Sequence, residues 1–83
     1  MTRDRIKNLI IEIIQDIDED AVTDNLNPDE QLRDQLDLDS MDFLDIVMEL
    51  RKRYKLQIPE EDYPQFATLN SCVDYLEPKL KDF

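Results

Sequence analysis

The chain has 83 residues, 41% of them hydrophobic, and carries 21 acidic against 10 basic residues for a formal net charge of −11. This length and composition predict a single small domain, residues 1–83, with one modest core. The charge disfavours nucleic acid and anionic lipid as partners and favours basic protein faces. The chain has no histidine, the commonest general base, which argues against an enzyme and against a resident metal ion.

Three features of the sequence predict the cellular compartment and the oligomeric state of the protein. Cys72 is the only cysteine, so no disulfide forms within the chain, as expected in a reducing compartment. The apolar runs are too short for a membrane span, and the N-terminal ones are interrupted by Asp4, Lys7 and Asn8. We therefore expect a cytoplasmic protein without membrane insertion, and the net negative charge predicts a monomer.

The first predicted element is an amphipathic helix over roughly residues 3–17. Its apolar residues recur at spacings of three and one and form one stripe: Ile6, Leu9, Ile10, Ile13, Ile14 and Ile17. The chain lacks glycine, which disfavours hairpins and favours an all-α fold. Turns that need positive φ are therefore expected at asparagine or aspartate.

A long first loop follows this helix. Residues 18–27 are polar and have turn chemistry, with Leu26 as an anchor to the core. Asn27 followed by Pro28 predicts a helix start, with asparagine as cap and proline at the first position. A short helical turn after it would be anchored by Leu32 and Leu36.

The second main helix is predicted to start around Ser40. Asp39 can accept hydrogen bonds from the amides of its first turn, and Asp42 complements the positive helix end. Two adjoining and mostly apolar sides of this helix predict a wide buried face and a central position in the bundle. One side contains Met41, Leu44, Val47, Met48 and Arg51, and the other contains Phe43, Val47, Leu50 and Tyr54. Cations that suit the dipole cluster at its C-terminus: Arg51, Lys52, Arg53 and Lys55.

The last third of the chain predicts one short helix and one longer one. Pro59 breaks the preceding helix, and Pro64 limits residues 60–66 to a short irregular helix. Thr68 is a plausible cap for the last helix, and Pro78 ends it. The spacing places four residues of this helix on a buried face: Leu69, Cys72, Val73 and Leu76.

One segment is more specific than the helices. Residues 36–42, LDLDSMD, resemble the attachment motif of acyl carrier proteins, an Asp-Ser-Leu core at the start of the second helix. The runs FLDIVMELRKRYKLQIPEEDY and ATLNSCVDYL are similar to later parts of that family. The resemblance implies a small four-helix bundle, in agreement with three main helices plus one short helix. The chain departs from the family at Asp37, often glycine there, and at Met41, commonly leucine.

The resemblance implies that a phosphopantetheinyl transferase attaches 4′-phosphopantetheine covalently to Ser40, beside Asp39. A serine at a helix N-terminus suits this role, because the helix dipole stabilises a phosphodiester. The arm would hold acyl groups as thioesters. The implied protein is an acyl carrier that serves the acyl-transferring and synthase enzymes of fatty-acid, lipid or polyketide synthesis.

A partner-binding surface is predicted around Ser40 and along the second helix. It comprises Met41 and the acids Asp37, Asp42, Asp45 and Glu49. Residues 42, 45 and 49 are three and four positions apart, so their carboxylates share one face. In the similar family such acids face basic docking patches of partner enzymes. Candidates for lining an acyl chain are three apolar residues that are also ordinary core residues: Leu44, Val47 and Ile58.

Other functions stay open from the sequence alone. One is an aminoacyl or peptidyl carrier, and another is an unmodified acidic helical interaction domain. The triplet at 51–53 stands where many fatty-acid carriers have acids. Dipole complementation at the helix end is the favoured explanation, and a contact surface of a specialised carrier is the alternative. A calcium loop starting at Asp16 is disfavoured, because Ala21 and Asn27 stand where such a loop has glycine and glutamate.

Overall fold

A computed structural model describes residues 1–36 and 38–83. Every regular element in that part of the chain is helical, so the predicted all-α fold is confirmed. The helices are α1 (Arg3–Ile17), α2 (Leu32–Leu36), α3 (Ser40–Tyr54), a 3-10 helix (Glu60–Phe66) and α4 (Leu69–Leu76). The three main helices predicted from the sequence are α1, α3 and α4. Helix α2 is the short helical turn expected within the first loop, and the 3-10 helix is the short irregular helix expected at residues 60–66.

The core forms where α1 packs against both α3 and α4, with the 3-10 helix closing the space between the latter two. The apolar stripe predicted for α1 is buried except at its end, where Ile17 is half-buried. All four apolar residues predicted for α4 are buried, and Leu80 beyond it joins them. Within the described residues no polar or charged side chain is buried. The helices there lack the length and hydrophobicity of a membrane-spanning segment.

Helix α3 buries a narrower face than its sequence predicted. The face that packs on α1 and the 3-10 helix contains Ile46, Val47 and Leu50. The prediction of a wide buried face was wrong for the side that carries Met41 and Met48, because these side chains are 68% and 52% exposed. Helix α1 packs closely against both other main helices.

The first loop is tied to the end of the 3-10 helix. Leu32 and Leu36 are buried as predicted, and the Leu32 amide donates to the Ala67 carbonyl at 2.8 Å. The predicted helix start at Asn27 is wrong. Its side-chain oxygen accepts from the Asp29 amide at 2.9 Å, which stabilises a turn, and the helix begins only at Leu32.

The basic end of α3 separates into different roles. The Arg53 guanidinium lies 2.8 Å from Asp16 and 3.7 Å from Glu12 on α1, and 3.0 Å from Glu49 on α3. It therefore joins the two helices, whereas Arg51 forms no ion pair with another described residue.

Lys55 ends α3 with a φ of 55°, and among the described residues it is the only one with positive φ. The expectation that asparagine or aspartate would take such a position was wrong. The Lys55 amide donates to the Arg51 carbonyl at 2.9 Å, which closes the last turn of the helix. The left-handed conformation costs a non-glycine residue about 1–2 kcal/mol, so the surrounding packing must hold this turn.

Candidate functional site

The start of α3 is held by a reciprocal capping box. The Asp39 carboxylate accepts from the Asp42 amide at 3.1 Å, and the Asp42 carboxylate accepts from the Asp39 amide at 3.1 Å. The predicted cap at Asp39 is present, and the return bond from Asp42 was not foreseen. Such a cap contributes roughly 0.5–2 kcal/mol. It places Ser40 as the first residue of a 15-residue helix.

Ser40 is exposed at this positive helix end. Among the hydrogen bonds between described residues, none involves its hydroxyl. A negative group attached there would lie where the partial positive charge of the helix N-terminus stabilises it. The hydroxyl is thus accessible to a modifying enzyme, and the backbone around it is fixed by the cap.

Ser40 also borders a groove of about 380 Å³. This volume lies within the roughly 300–1,000 Å³ that is usual for small-molecule sites. The other residues along the groove come from α2 and its approach, from α3, and from the 3-10 helix and its end: Gln31, Arg33, Phe43, Leu44, Tyr63, Pro64 and Ala67. We call the largely apolar lining residues of α3 and of the 3-10 helix and its end the apolar wall, and Gln31 with the positively charged Arg33 the polar wall.

The three candidates for lining an acyl chain lie in different places. Leu44 is on the groove wall and is 39% exposed. Val47 and Ile58 are 1% and 5% exposed and belong to the core beneath. Sequence reasoning missed Tyr63 and the other groove residues of the 3-10 helix, because their nearness to Ser40 comes from how that helix packs on α3.

The predicted partner-binding residues also differ in their surroundings. The Asp42 carboxylate is used in the cap, and Glu49 is paired with Arg53. Asp45 is exposed, and no hydrogen bond or ion pair between described residues involves it. Met41 is exposed beside it, whereas Asp37 lies outside the described residues.

Comparison with known proteins identifies the family of this site. The family profile of the phosphopantetheine attachment site matches residues 4–76. The chain is 32% identical to an acyl carrier protein of Chlorobium phaeobacteroides, over 95% of this chain and 100% of that protein. It is 34% identical to an acyl carrier protein of Lactobacillus johnsonii, over 93% of this chain and 95% of that protein. It is also 34% identical to an acyl carrier protein of Rubrobacter xylanophilus, over 92% of this chain and 93% of that protein. The chain therefore belongs to the acyl carrier protein family, whose prosthetic group is covalently attached 4′-phosphopantetheine.

Proposed function

We propose that this protein carries acyl groups on a 4′-phosphopantetheine arm joined to the Ser40 hydroxyl. The observation that carries the proposal is the exposed hydroxyl at the first position of α3, beside a largely apolar groove, in a chain of the acyl carrier family. When bound, the arm supplies a terminal thiol that holds acyl groups as thioesters. The protein is a carrier, and the chemistry of transfer belongs to its partner enzymes.

The residues around Ser40 suit this arm. Asp39 and Asp42 hold the helix start in place, so the attachment point does not move with a flexible loop. The apolar wall that contains Leu44 would shelter an acyl chain from water. Val47 and Ile58 would touch the chain only if it entered the core beneath. Tethering at one fixed site raises the effective concentration of cargo at a docked partner.

We place the docking face on the exposed side of α3: Met41, Leu44, Asp45 and Met48. These residues are three and four positions apart and therefore neighbours on the helix surface. Partners with a basic patch and an apolar centre would suit this face. They include the phosphopantetheinyl transferase and the acyl-transferring and synthase enzymes. Among the described acids of this surface, Asp45 has an uncommitted carboxylate, while Asp42 and Glu49 add negative potential from their internal contacts. Asp37 is a further predicted partner-binding acid, three residues before Ser40 in the sequence.

Intact mass after incubation with coenzyme A and a broad-specificity phosphopantetheinyl transferase tests the attachment site. The wild type should gain one phosphopantetheine, and Ser40→Ala should gain none, because the nucleophilic oxygen is missing. Ser71→Ala is the matched control, since Ser71 is the other serine and also lies in a helix capping box. Loading of folded Ser40→Ala, or no loading of a folded wild type while a control carrier is modified, would contradict the proposal.

The same assay tests the docking face through the initial rate of loading. Asp45→Lys should load at least about tenfold more slowly at low salt, because like charges then face each other across the complex. Asp24→Lys makes the same charge change at another exposed aspartate, in the first loop, and should load at nearly the wild-type rate. Equal slowing of both variants would show that net charge alone is sensed, which would remove Asp45 from the docking face.

A further inference from the structure

The polar wall of the groove beside Ser40 carries a positive charge. Arg33 lies in α2, and its Nε donates to the Gln31 side-chain oxygen at 3.0 Å. Both side chains line the groove that Ser40 borders. The apolar wall includes the rings of Phe43 and Tyr63. The groove thus combines an apolar wall with a guanidinium that a neighbouring amide orients.

This cation stands out from the charge pattern of the chain. Residues 1–50 contain 15 acidic and 4 basic residues, and Arg33 is the only basic residue between Lys7 and Arg51. Arg53 is engaged by three carboxylates of α1 and α3, whereas no ion pair between described residues involves Arg33. An arginine with its planar fork is well suited to carboxylate and phosphate oxygens. Because Arg33 and Ser40 border the same groove, an oxyanion that binds Arg33 would belong to the phosphopantetheine arm or to its cargo.

We propose that Arg33 binds an oxyanion of the loaded arm, with Gln31 as a positioning residue that orients the guanidinium. This inference rests on the proposed attachment at Ser40. The oxyanion is either the phosphodiester on Ser40 or a carboxylate at the far end of the cargo. In the second case the apolar wall holds the methylene chain while Arg33 selects for cargo with an acidic end.

The test uses wild type, Arg33→Gln and Arg51→Gln, each loaded from coenzyme A, from octanoyl-coenzyme A and from the thioester of the matching dicarboxylic acid. Arg51→Gln removes the same charge from an exposed site outside the groove. Intact mass confirms loading, and circular dichroism confirms folding. Two readouts follow: the phosphorus NMR shift of the arm, and the rate at which hydroxylamine cleaves the thioester.

If Arg33 contacts the phosphodiester, the phosphorus resonance of Arg33→Gln should differ from that of wild type in all three loaded forms. The resonance of Arg51→Gln should match that of wild type. Contact with the cargo predicts that the dicarboxylic thioester is cleaved about two- to fivefold more slowly than the octanoyl thioester, in wild type and Arg51→Gln but not in Arg33→Gln. The factor is small because exposed ion pairs are weak, and added salt should reduce it. Either result supports oxyanion binding and identifies its source.

Two results would overturn the inference, and they are distinguishable. If all three proteins load and neither readout depends on Arg33, the inference fails while the carrier function stands. If the folded wild type gains no phosphopantetheine, the proposed function fails and this inference fails with it.

Discussion

Phe66→Ala should lower the free energy of unfolding by about 3–5 kcal/mol, the usual cost of removing a buried phenylalanine ring. Phe66 is 1% exposed and ends the 3-10 helix. Its ring centroid is 5.6 Å from that of Tyr75, at an angle of 64°. Ala67 follows it and accepts the hydrogen bond from Leu32, so the residue also lies where the first loop joins the bundle.

Denaturant unfolding followed by circular dichroism measures this loss. Phe83→Ala is the control, because Phe83 is 59% exposed and packs edge-on against Tyr54 at 5.2 Å. We expect it to cost less than about 1.5 kcal/mol, the upper value for an aromatic pair. Should Phe66→Ala prove too unstable to fold, Phe66→Leu retains much of the volume and should show an intermediate loss. Equal midpoints for Phe66→Ala and Phe83→Ala would contradict the buried position of Phe66.

The second large effect concerns Cys72, which in the folded, unloaded protein should react with a thiol reagent about a thousandfold more slowly than an ordinary cysteine. Its side chain is buried in α4, and burial raises the pKa of the thiol to about 12. The thiolate is the reactive form, and raising the pKa from its ordinary value of 9.0 to about 12 lowers the thiolate population at neutral pH about a thousandfold.

A chromogenic thiol reagent tests this together with the carrier function. The folded unloaded protein should show no rapid reaction, and denaturant should release one thiol from Cys72. The loaded protein should show one rapidly reacting thiol, that of the arm, so acyl groups have a single reactive sulfur available to them. Ser40→Ala treated with the transferase should behave like the unloaded protein. Rapid reaction of the folded unloaded protein would show that Cys72 is accessible and would contradict its burial.

The helices that could be predicted from the sequence are those set by local rules. The apolar stripe of α1 repeats within the helix itself, so its burial could be read from spacing. The cap of α4 is similar, because the Thr68 hydroxyl accepts from the Ser71 amide at 3.0 Å, only three residues away. Asp39 and Asp42 define the start of α3 in the same way.

Features that depend on a neighbouring element could not be predicted in this way. Val47 and Met48 are neighbouring apolar residues of α3, but Val47 is 1% exposed and Met48 is 52% exposed, because α3 packs on its neighbours with only one of its sides. Arg51 and Arg53 belong to one basic triplet, and the carboxylates of α1 decide which of them forms ion pairs between helices. The left-handed turn at Lys55 likewise is not marked in the sequence by a glycine, asparagine or aspartate at that position.

For the site itself, the sequence alone determined the helix start with its cap and, by resemblance, Ser40 as the expected attachment point of the arm. These depend on hydrogen bonds and motifs that span a few residues. The tertiary structure alone brought Arg33, Ser40 and Tyr63 to one groove and left Met41 and Asp45 uncovered on the outer side of α3. The physical reason is that residues far apart in the chain meet only when whole helices pack, and helix periodicity records which side of a helix is apolar but not what covers it.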